Sequence, residues 1–270
     1  MKSDMNRKTM LTITWRSLRR VLLAFIAIGL FAGLCVAYGF FIEPHWLKVR
    51  RVTLADKPSV RLIHMSDIHY KGDRKYLQKV VDTINRTHAD AVCFTGDLME
   101  NSKYLDECMQ LLSQINKPVY GVPGNHDVWE RLPFDKIRSC FRKTGGDWLN
   151  DTNAVALNGR ILFLGCSGAG LPLSNNALPA ATKRILLCHY PIIADRLADR
   201  RFDLILAGHT HGGQVRIPLL SSSIMSYDIL PYDRGLFQTT AGPLYVNPGI
   251  GSFYLDLRFF CRPEITIVEL

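Results

Sequence analysis

The segment Leu204–Gln214, LILAGHTHGGQ, ends an apolar run with a glycine and then sets two histidines one residue apart. In an extended segment residues i and i+2 point to the same side, so His209 and His211 can aim at one spot. The same arrangement recurs along the chain. RLIHMSDIH closes on Asp67 and His69, AVCFTGD on Asp97, and VYGVPGNHD on Asn125, His126 and Asp127; ILLCHYP adds His189. Five of the eight histidines lie in these clusters, while His45, His64 and His88 do not. Carboxylate, imidazole and amide donors without thiolates suit borderline or hard divalent cations and not a structural zinc knot.

Asp67, His69, Asp97, Asn125, His189, His209 and His211 make seven protein ligands, more than one cation uses. Two four-ligand sites that share one carboxylate need that number, and Asp97, on the middle strand behind a glycine, is the natural bridge. Such a pair, ~3.5–4 Å apart, holds a hydroxide at neutral pH and neutralises phosphoryl charge. Each cluster alone has an ordinary explanation: Gly96-Asp97 is a common turn pair, and Asp127 can cap a following helix. Their repetition after successive apolar runs is what chance placement does not explain.

These clusters need elements that bring them together. Short apolar, β-branched runs predict strands at Val60–Met65, Ala91–Thr95, Val119–Val122, Ile161–Leu164, Ile185–Cys188, Leu204–Ala207, Leu244–Asn247 and Ile265–Val268. Between the early ones, Tyr76–Thr87, Tyr104–Ile115 and Phe134–Lys143 have helical spacing. Strands alternating with helices predict a mainly parallel α/β sheet, whose carboxyl edge is where ligands bind. Fewer helical signals in the later half suggest a second sheet packed on the first. The Pro- and Gly-rich region 217–251 is expected as long loops near the site.

The formal charge is +9, but residues 1–20 hold six Lys or Arg against Asp4 alone. A basic tail with no nucleic-acid motif in the body argues against nucleic-acid binding. Val21–Ile42 follows, 22 residues without a charge, enough for a helix to cross the ~30 Å hydrocarbon layer. Arg16, Arg19 and Arg20 precede it and Trp46, Lys48, Arg50 and Arg51 follow, as interfacial anchors do. A cleaved leader would have a shorter apolar core, ~7–15 residues. The expected organisation is a basic tail over 1–20, a transmembrane anchor over 21–42, a linker over 43–58 and a catalytic domain over 59–270. The greater basicity before the span places the body outside the cytoplasm by the positive-inside rule, whereas seven cysteines with no disulfide framework favour a reducing side.

DxH, GD, GNHD, H and GHTH in this order resemble the calcineurin-like metallophosphoesterases, over about residues 59–270. The resemblance implies a four-layer αββα sandwich and a dinuclear centre. Carried onto this chain, Asp67, His69 and His211 join Asp97 on one metal, and Asn125, His189 and His209 join Asp97 on the other. His126 would give a proton to the leaving oxygen, with Asp127 orienting it. The anchor, GHTHGGQVRIP and the closing GIGSFYLDLRFFCRPEITIVEL look like the membrane-anchored YkuE/YaeI-type bacterial phosphodiesterase branch, related to a UDP-2,3-diacylglucosamine hydrolase of lipid A synthesis. The implied activity is hydrolysis of a phosphodiester or pyrophosphate by a metal-bridging hydroxide, on a lipid-linked or cell-envelope substrate at a bacterial inner membrane that the chain crosses once. The absence of a GxSxG-type nucleophile motif favours direct attack by water. The implied cofactors are two divalent metal ions from among Mn, Zn, Fe, Co and Ni; a phosphomonoesterase or phosphoprotein phosphatase and a non-catalytic scaffold are the alternatives. Arg131, Arg216 and Arg234 are candidate phosphate clamps. Trp129, Leu132 and Phe134, with Leu219, Leu220, Ile224 and Met225, are a candidate apolar rim for acyl chains.

Overall fold

The structure is a computed structural model that describes residues 2–168, 179–197, 200–217 and 231–270, with the side chains of residues 2–14 left out. Helix α1 (Lys2–Ala37) runs without a break through both the expected basic tail and the apolar segment. A π-helical turn, Tyr38–Ile42, and a 3₁₀ turn, Glu43–His45, continue it. Trp15–His45 is long and apolar enough to cross a membrane, and its most apolar part is unburied, whereas Gly39, Glu43 and Pro44 at its end are buried. The stretch 43–58 is not a plain linker: it contains β1 (Lys48–Thr53), an edge strand parallel to the C-terminal strand of the chain. Arg50 and Arg51 point outward there and hide its strand character from a reading of apolar runs.

The body follows as β2 (Arg61–Met65), α2 (Arg74–Arg86), β3 (Ala91–Phe94), α3 (Leu105–Leu112), β4 (Val119–Gly121), α4 (Asn125–Trp129), α5 (Phe134–Lys143) and β5 (Asp147–Trp148). Then come β6 (Asn153–Ala156), β7 (Ile161–Cys166), β8 (Lys183–Cys188), β9 (Leu204–Ala207), β10 (Gly235–Thr239), β11 (Gly242–Val246) and β12 (Glu264–Glu269). Two six-stranded sheets result, ordered β1-β12-β2-β3-β4-β5 and β10-β11-β9-β8-β7-β6. The runs β2 to β5 and β7-β8-β9-β11 are parallel. In the region 217–251, the apolar run expected as a strand at Leu244–Asn247 is β11, while β10, expected as loop, pairs with it as a hairpin.

Alternation along the strands explains the layers. On β3, Ala91 and Cys93 face the other sheet, and Val92 and Phe94 face the helices; on β8, Ile185 and Leu187 face inward, and Leu186 and Cys188 outward. Strands apolar on both faces read as unbroken apolar runs, which is why these were legible. Helix α2 lays Leu77, Val80, Val81 and Ile84 against the first sheet at the i, i+3, i+4, i+7 spacing of one helix face. Asp73 caps it by accepting from Tyr76 N at 3.0 Å, an arrangement that stabilises a helix by about 1 kcal/mol. The molecule is therefore an α/β sandwich of two sheets with α2, α3 and α5 over the first. The outer face of the second carries Ile193, Ala194 and Leu197, from the 3₁₀ segment Pro191–Arg196 and its end, and no α-helix among the described residues.

His64 lies wholly buried between the sheets. Thr95 Oγ1 donates to Ser66 Oγ at 2.7 Å, so the His64 ring is the donor to Thr95, Nε2 to Oγ1 at 2.9 Å. Burial pulls the pKa of this imidazole down to about 3. Between about pH 6.5 and 3 the unfolded chain binds a proton here that the folded chain does not, so stability falls as pH falls through that window. The slope from this residue is about 1.4 kcal/mol per pH unit. Urea unfolding at pH 7 and pH 5 should show a shallower pH dependence for His64→Gln.

Candidate metal centre

Every predicted ligand follows the carboxyl end of a parallel strand. Asp67 and His69 come after β2, Asp97 after β3, His189 after β8, and His209 and His211 after β9; Asn125 opens α4 just beyond β4. The chain must turn sharply to aim them. Asp67, His69, Asp97, His209 and His211 all have positive φ, between 42° and 71°. Non-glycine residues seldom sit there, and such strain concentrates at functional sites. Gly208 permits the close approach of the two sheets: a Cβ would collide with Ser66 Oγ and Asp67 Oδ2. Gly208→Ala should therefore displace Asp67, cutting turnover at least tenfold and weakening metal uptake, as isothermal titration with Mn²⁺ would record.

The side chains converge. Nε2 of His69 lies 3.0 Å from Nε2 of His211 and 3.4 Å from Asp97 Oδ2, and His211 Nε2 lies 3.6 Å from Asp67 Oδ1. Nε2 of His189 lies 3.3 Å from Asp97 Oδ2, 2.9 Å from Asn125 Oδ1 and 3.1 Å from His209 Nδ1. All seven predicted ligands are thus within one continuous cluster. Backs of the rings are fixed as well. The His189 Nδ1–H donates to the Thr95 carbonyl at 2.8 Å, and His69 Nδ1 pairs with the Glu100 carboxylate. Each bond turns a nitrogen lone pair inward, as in outer-sphere support of metal-binding histidines.

The electrostatics agree with a cation site. Burial resists ionisation of Asp97, but His189 and His69 beside it outweigh burial and hold its carboxyl far below the usual range. Burial and the neighbouring His189 push His209 down to about 3, and burial with His69 pushes His211 well down, so both rings present free lone pairs. Ring nitrogens 3.0–3.1 Å apart, packed against carboxylate oxygens that against burial pull His189 up to about 9 and His69 above its ordinary value, form a donor set in which a divalent cation would take the place of protons.

Glu100 was not legible as a site residue. It follows Asp97 by three residues in a turn without periodicity, and only the fold returns it to His69, with His126 Nδ1 also 3.6 Å away. Asp127 takes a different place from the expected one. Its buried carboxylate accepts from the N–H groups of Asp97 (2.9 Å), Leu98 (2.8 Å) and Gly124 (2.8 Å), so it clamps the Asp97 turn and caps α4, and Glu100 is the carboxylate beside the His126 ring. His126 stands at the rim, its N–H bonded to Asp97 Oδ1 at 2.9 Å and its ring between Trp129 and Phe253, with centroids 4.9 and 5.2 Å away.

The arginine clamps are placed differently. Arg216 donates to Asp233 Oδ2 at 2.6 Å and to the Gly212 carbonyl at 3.0 Å, and Arg234 donates to the Phe260 carbonyl at 3.2 Å; both tie loops together. Arg131 is exposed just beyond α4. Among the described residues of the expected apolar rim only Trp129 is exposed, since Leu132 is buried in the core and Phe134 packs against it. Leu219, Leu220, Ile224 and Met225 lie outside the described residues.

Residues 60–213, which hold the whole cluster, match the family model described as calcineurin-like phosphoesterase. The chain belongs to that family. As a calcineurin-like phosphoesterase it is a metal-dependent phosphoester hydrolase. It is 30% identical to a Bacillus subtilis protein called uncharacterized metallophosphoesterase YkuE, over 92% of this chain and 93% of that one. It is 28% identical to Escherichia coli phosphodiesterase YaeI, over 86% and 92%. A Danio rerio protein called transmembrane protein with metallophosphoesterase domain is also 28% identical, over 78% of this calcineurin-like chain and 53% of its own length.

Proposed function

We propose that this chain is a membrane-anchored phosphodiester hydrolase whose centre takes two divalent cations and whose substrate is lipid-linked or part of the cell envelope. One observation carries the dinuclear reading. Asp97 Oδ2 lies 3.4 Å from Nε2 of His69 and 3.3 Å from Nε2 of His189, so a single carboxylate oxygen faces two sets of donors. On this reading Asp67, His69, His211 and Asp97 hold one cation, and Asn125, His189, His209 and Asp97 the other. When bound, such a pair lets water ionise near neutral pH and neutralises charge on phosphoryl oxygens. Mn, Zn, Fe, Co and Ni all accept this donor set.

The chain's own groups do the rest. Glu100 and the Thr95 carbonyl orient His69 and His189; the Asp127 clamp keeps the Asp97 turn in place. His126, presented by its backbone bond to Asp97, supplies a proton to the leaving oxygen, and Trp129 and Phe253 shield that oxygen from bulk water. Anchorage is supported by α1 and by the name of the Danio rerio relative, the diester reading by the name of the E. coli one. A single crossing of a bacterial inner membrane fits this anchor.

Hydrolysis assays with Mn²⁺ test the reading. Bis(4-nitrophenyl) phosphate should turn over at least tenfold faster than 4-nitrophenyl phosphate. A preference for the monoester would replace the diester reading with the phosphatase one. Vesicles containing UDP-2,3-diacylglucosamine test one envelope substrate directly, through release of UMP and the lipid monophosphate.

A further inference from the structure

The segment between β11 and β12 carries apolar side chains that neither the core nor the metal centre uses. Tyr254 is 78% exposed, Phe260 56% and Leu255 44%. Tyr254 and Phe260 are also held at φ 60° and 52°, a conformation that glycine and asparagine tolerate and bulky residues resist. Water rewards neither the strain nor the exposure. The base of the segment is nonetheless firmly held. The Gln214 amide donates to the carbonyls of Phe253 and Leu255 at 3.0 and 3.1 Å and accepts from Phe253 N at 2.8 Å. Buried Arg258 donates to the carbonyls of Pro248 (2.8 Å) and Cys261 (2.9 Å). The apolar tips are therefore presented outward by a rigid base.

The same segment is bonded to the end of the anchor. Arg258 N donates to Gly39 O at 3.0 Å, and the buried Glu43 carboxylate accepts from Phe260 N at 2.9 Å and Cys261 N at 2.5 Å. Glycine at 39 lets the two segments approach closely: a Cβ there would lie 2.7 Å from Leu257 Cδ1 and 3.3 Å from the Arg258 carbonyl oxygen. Just beyond, the Arg262 guanidinium lies 4.0 Å over the Trp46 ring, an aromatic and basic pairing suited to the boundary between lipid and water. The exposed apolar surface of α1 thus continues onto the catalytic body, beside Phe253 and the rim of the metal centre.

We propose that Phe253–Phe260 is a membrane-contact surface. Tyr254, Leu255 and Phe260 rest in the interfacial layer of the bilayer that α1 crosses, and they hold the mouth of the metal centre against the lipid headgroups. The partner is a lipid bilayer, and the inference rests on the anchored reading given above. It also narrows the substrate to phosphodiesters displayed at that surface.

The test uses the full chain in vesicles of phosphatidylcholine with a quarter phosphatidylglycerol, or the same lipids with brominated acyl chains. An environment-sensitive fluorophore is attached at native Cys35 in the anchor or, in a Cys35→Ser background, at Tyr254→Cys, Leu255→Cys, Phe260→Cys or Lys143→Cys. The other six cysteines are buried, and Lys143 lies beside β5 at the sheet edge opposite β1. Turnover of bis(4-nitrophenyl) phosphate within twofold of the parent shows that each labelled chain is folded. The labels at 254, 255 and 260 should be blue-shifted and quenched by brominated chains at least half as strongly as the label at 35, with the label at 143 unquenched. Labels at 254, 255 and 260 that behave like the one at 143, while Cys35 is quenched, would overturn the inference and leave the anchor standing. An unquenched Cys35 would overturn both. Immersed loop labels on a chain that cleaves only soluble diesters would support the contact surface and remove the lipid substrate.

Discussion

Asp97→Asn is expected to lower diester turnover by at least about 10³-fold and to reduce bound metal from two equivalents to at most one. The ligand set contains two carboxylates, Asp67 and Asp97, against four positive charges on a pair of divalent cations, so this substitution removes half of the compensating charge. It also removes the oxygen placed between His69 and His189. Charge stabilisation of this kind is the largest contribution in many active sites, and single groups there are worth 10²–10³-fold. A bridging ligand serves both cations and should exceed that range. The fold should survive, because an asparagine oxygen can still accept from His126 N, as Asp97 Oδ1 does at 2.9 Å. The metal-free variant should unfold somewhat below the metal-free parent, because it loses the pairing with His189 and His69 that keeps the Asp97 carboxyl ionised despite burial. Burial, and then the Asp97 charge, raise the pKa of Asp67, so relief of that repulsion offsets only part of the loss. Turnover, metal analysis and thermal unfolding on one preparation check all three statements.

The second large effect is expected at His126. His126→Ala should lower kcat by about 10²–10⁴-fold, the usual contribution of a positioned acid or base, with KM changed less than threefold. Two equivalents of metal should remain, because His126 is outside the seven ligands. The ring lies close enough to His69 and Asp97 to have been a ligand in its own right, so metal content is the deciding observation. A fall to one equivalent would make His126 a ligand and remove its place in proton delivery. An unchanged kcat would remove it from the chemistry altogether. Loss in kcat without loss in binding is the signature of a group that acts in the transition state.

What the sequence made legible follows from burial. Strands β2, β3, β8 and β9 are apolar on both faces, so each appears as a continuous run, and the ligands stand where those runs stop. Strand β1 was hidden by Arg50 and Arg51 on an exposed edge, and β5 by its length of two residues. Glu100 and Asp127 show a different limit. Both are acidic residues in turns, and only the return of β3 and α4 toward one another decides which carboxylate meets a histidine ring and which meets backbone N–H groups. Leu132 and Phe134 followed a ligand cluster and were expected at its rim, yet α5 draws them into the core. Arg216 carried the right charge for a phosphate, but Asp233, seventeen residues later, neutralises it.

The bridging role of Asp97 is tested most directly by anomalous diffraction from crystals of the Mn²⁺-loaded chain. The account predicts two peaks, ~3.5–4 Å apart as in two-metal sites, one among Asp67, His69 and His211 and the other among Asn125, His189 and His209, with the Asp97 carboxylate between them. A single peak at full loading, or two peaks with Asp97 bound to only one, would contradict it.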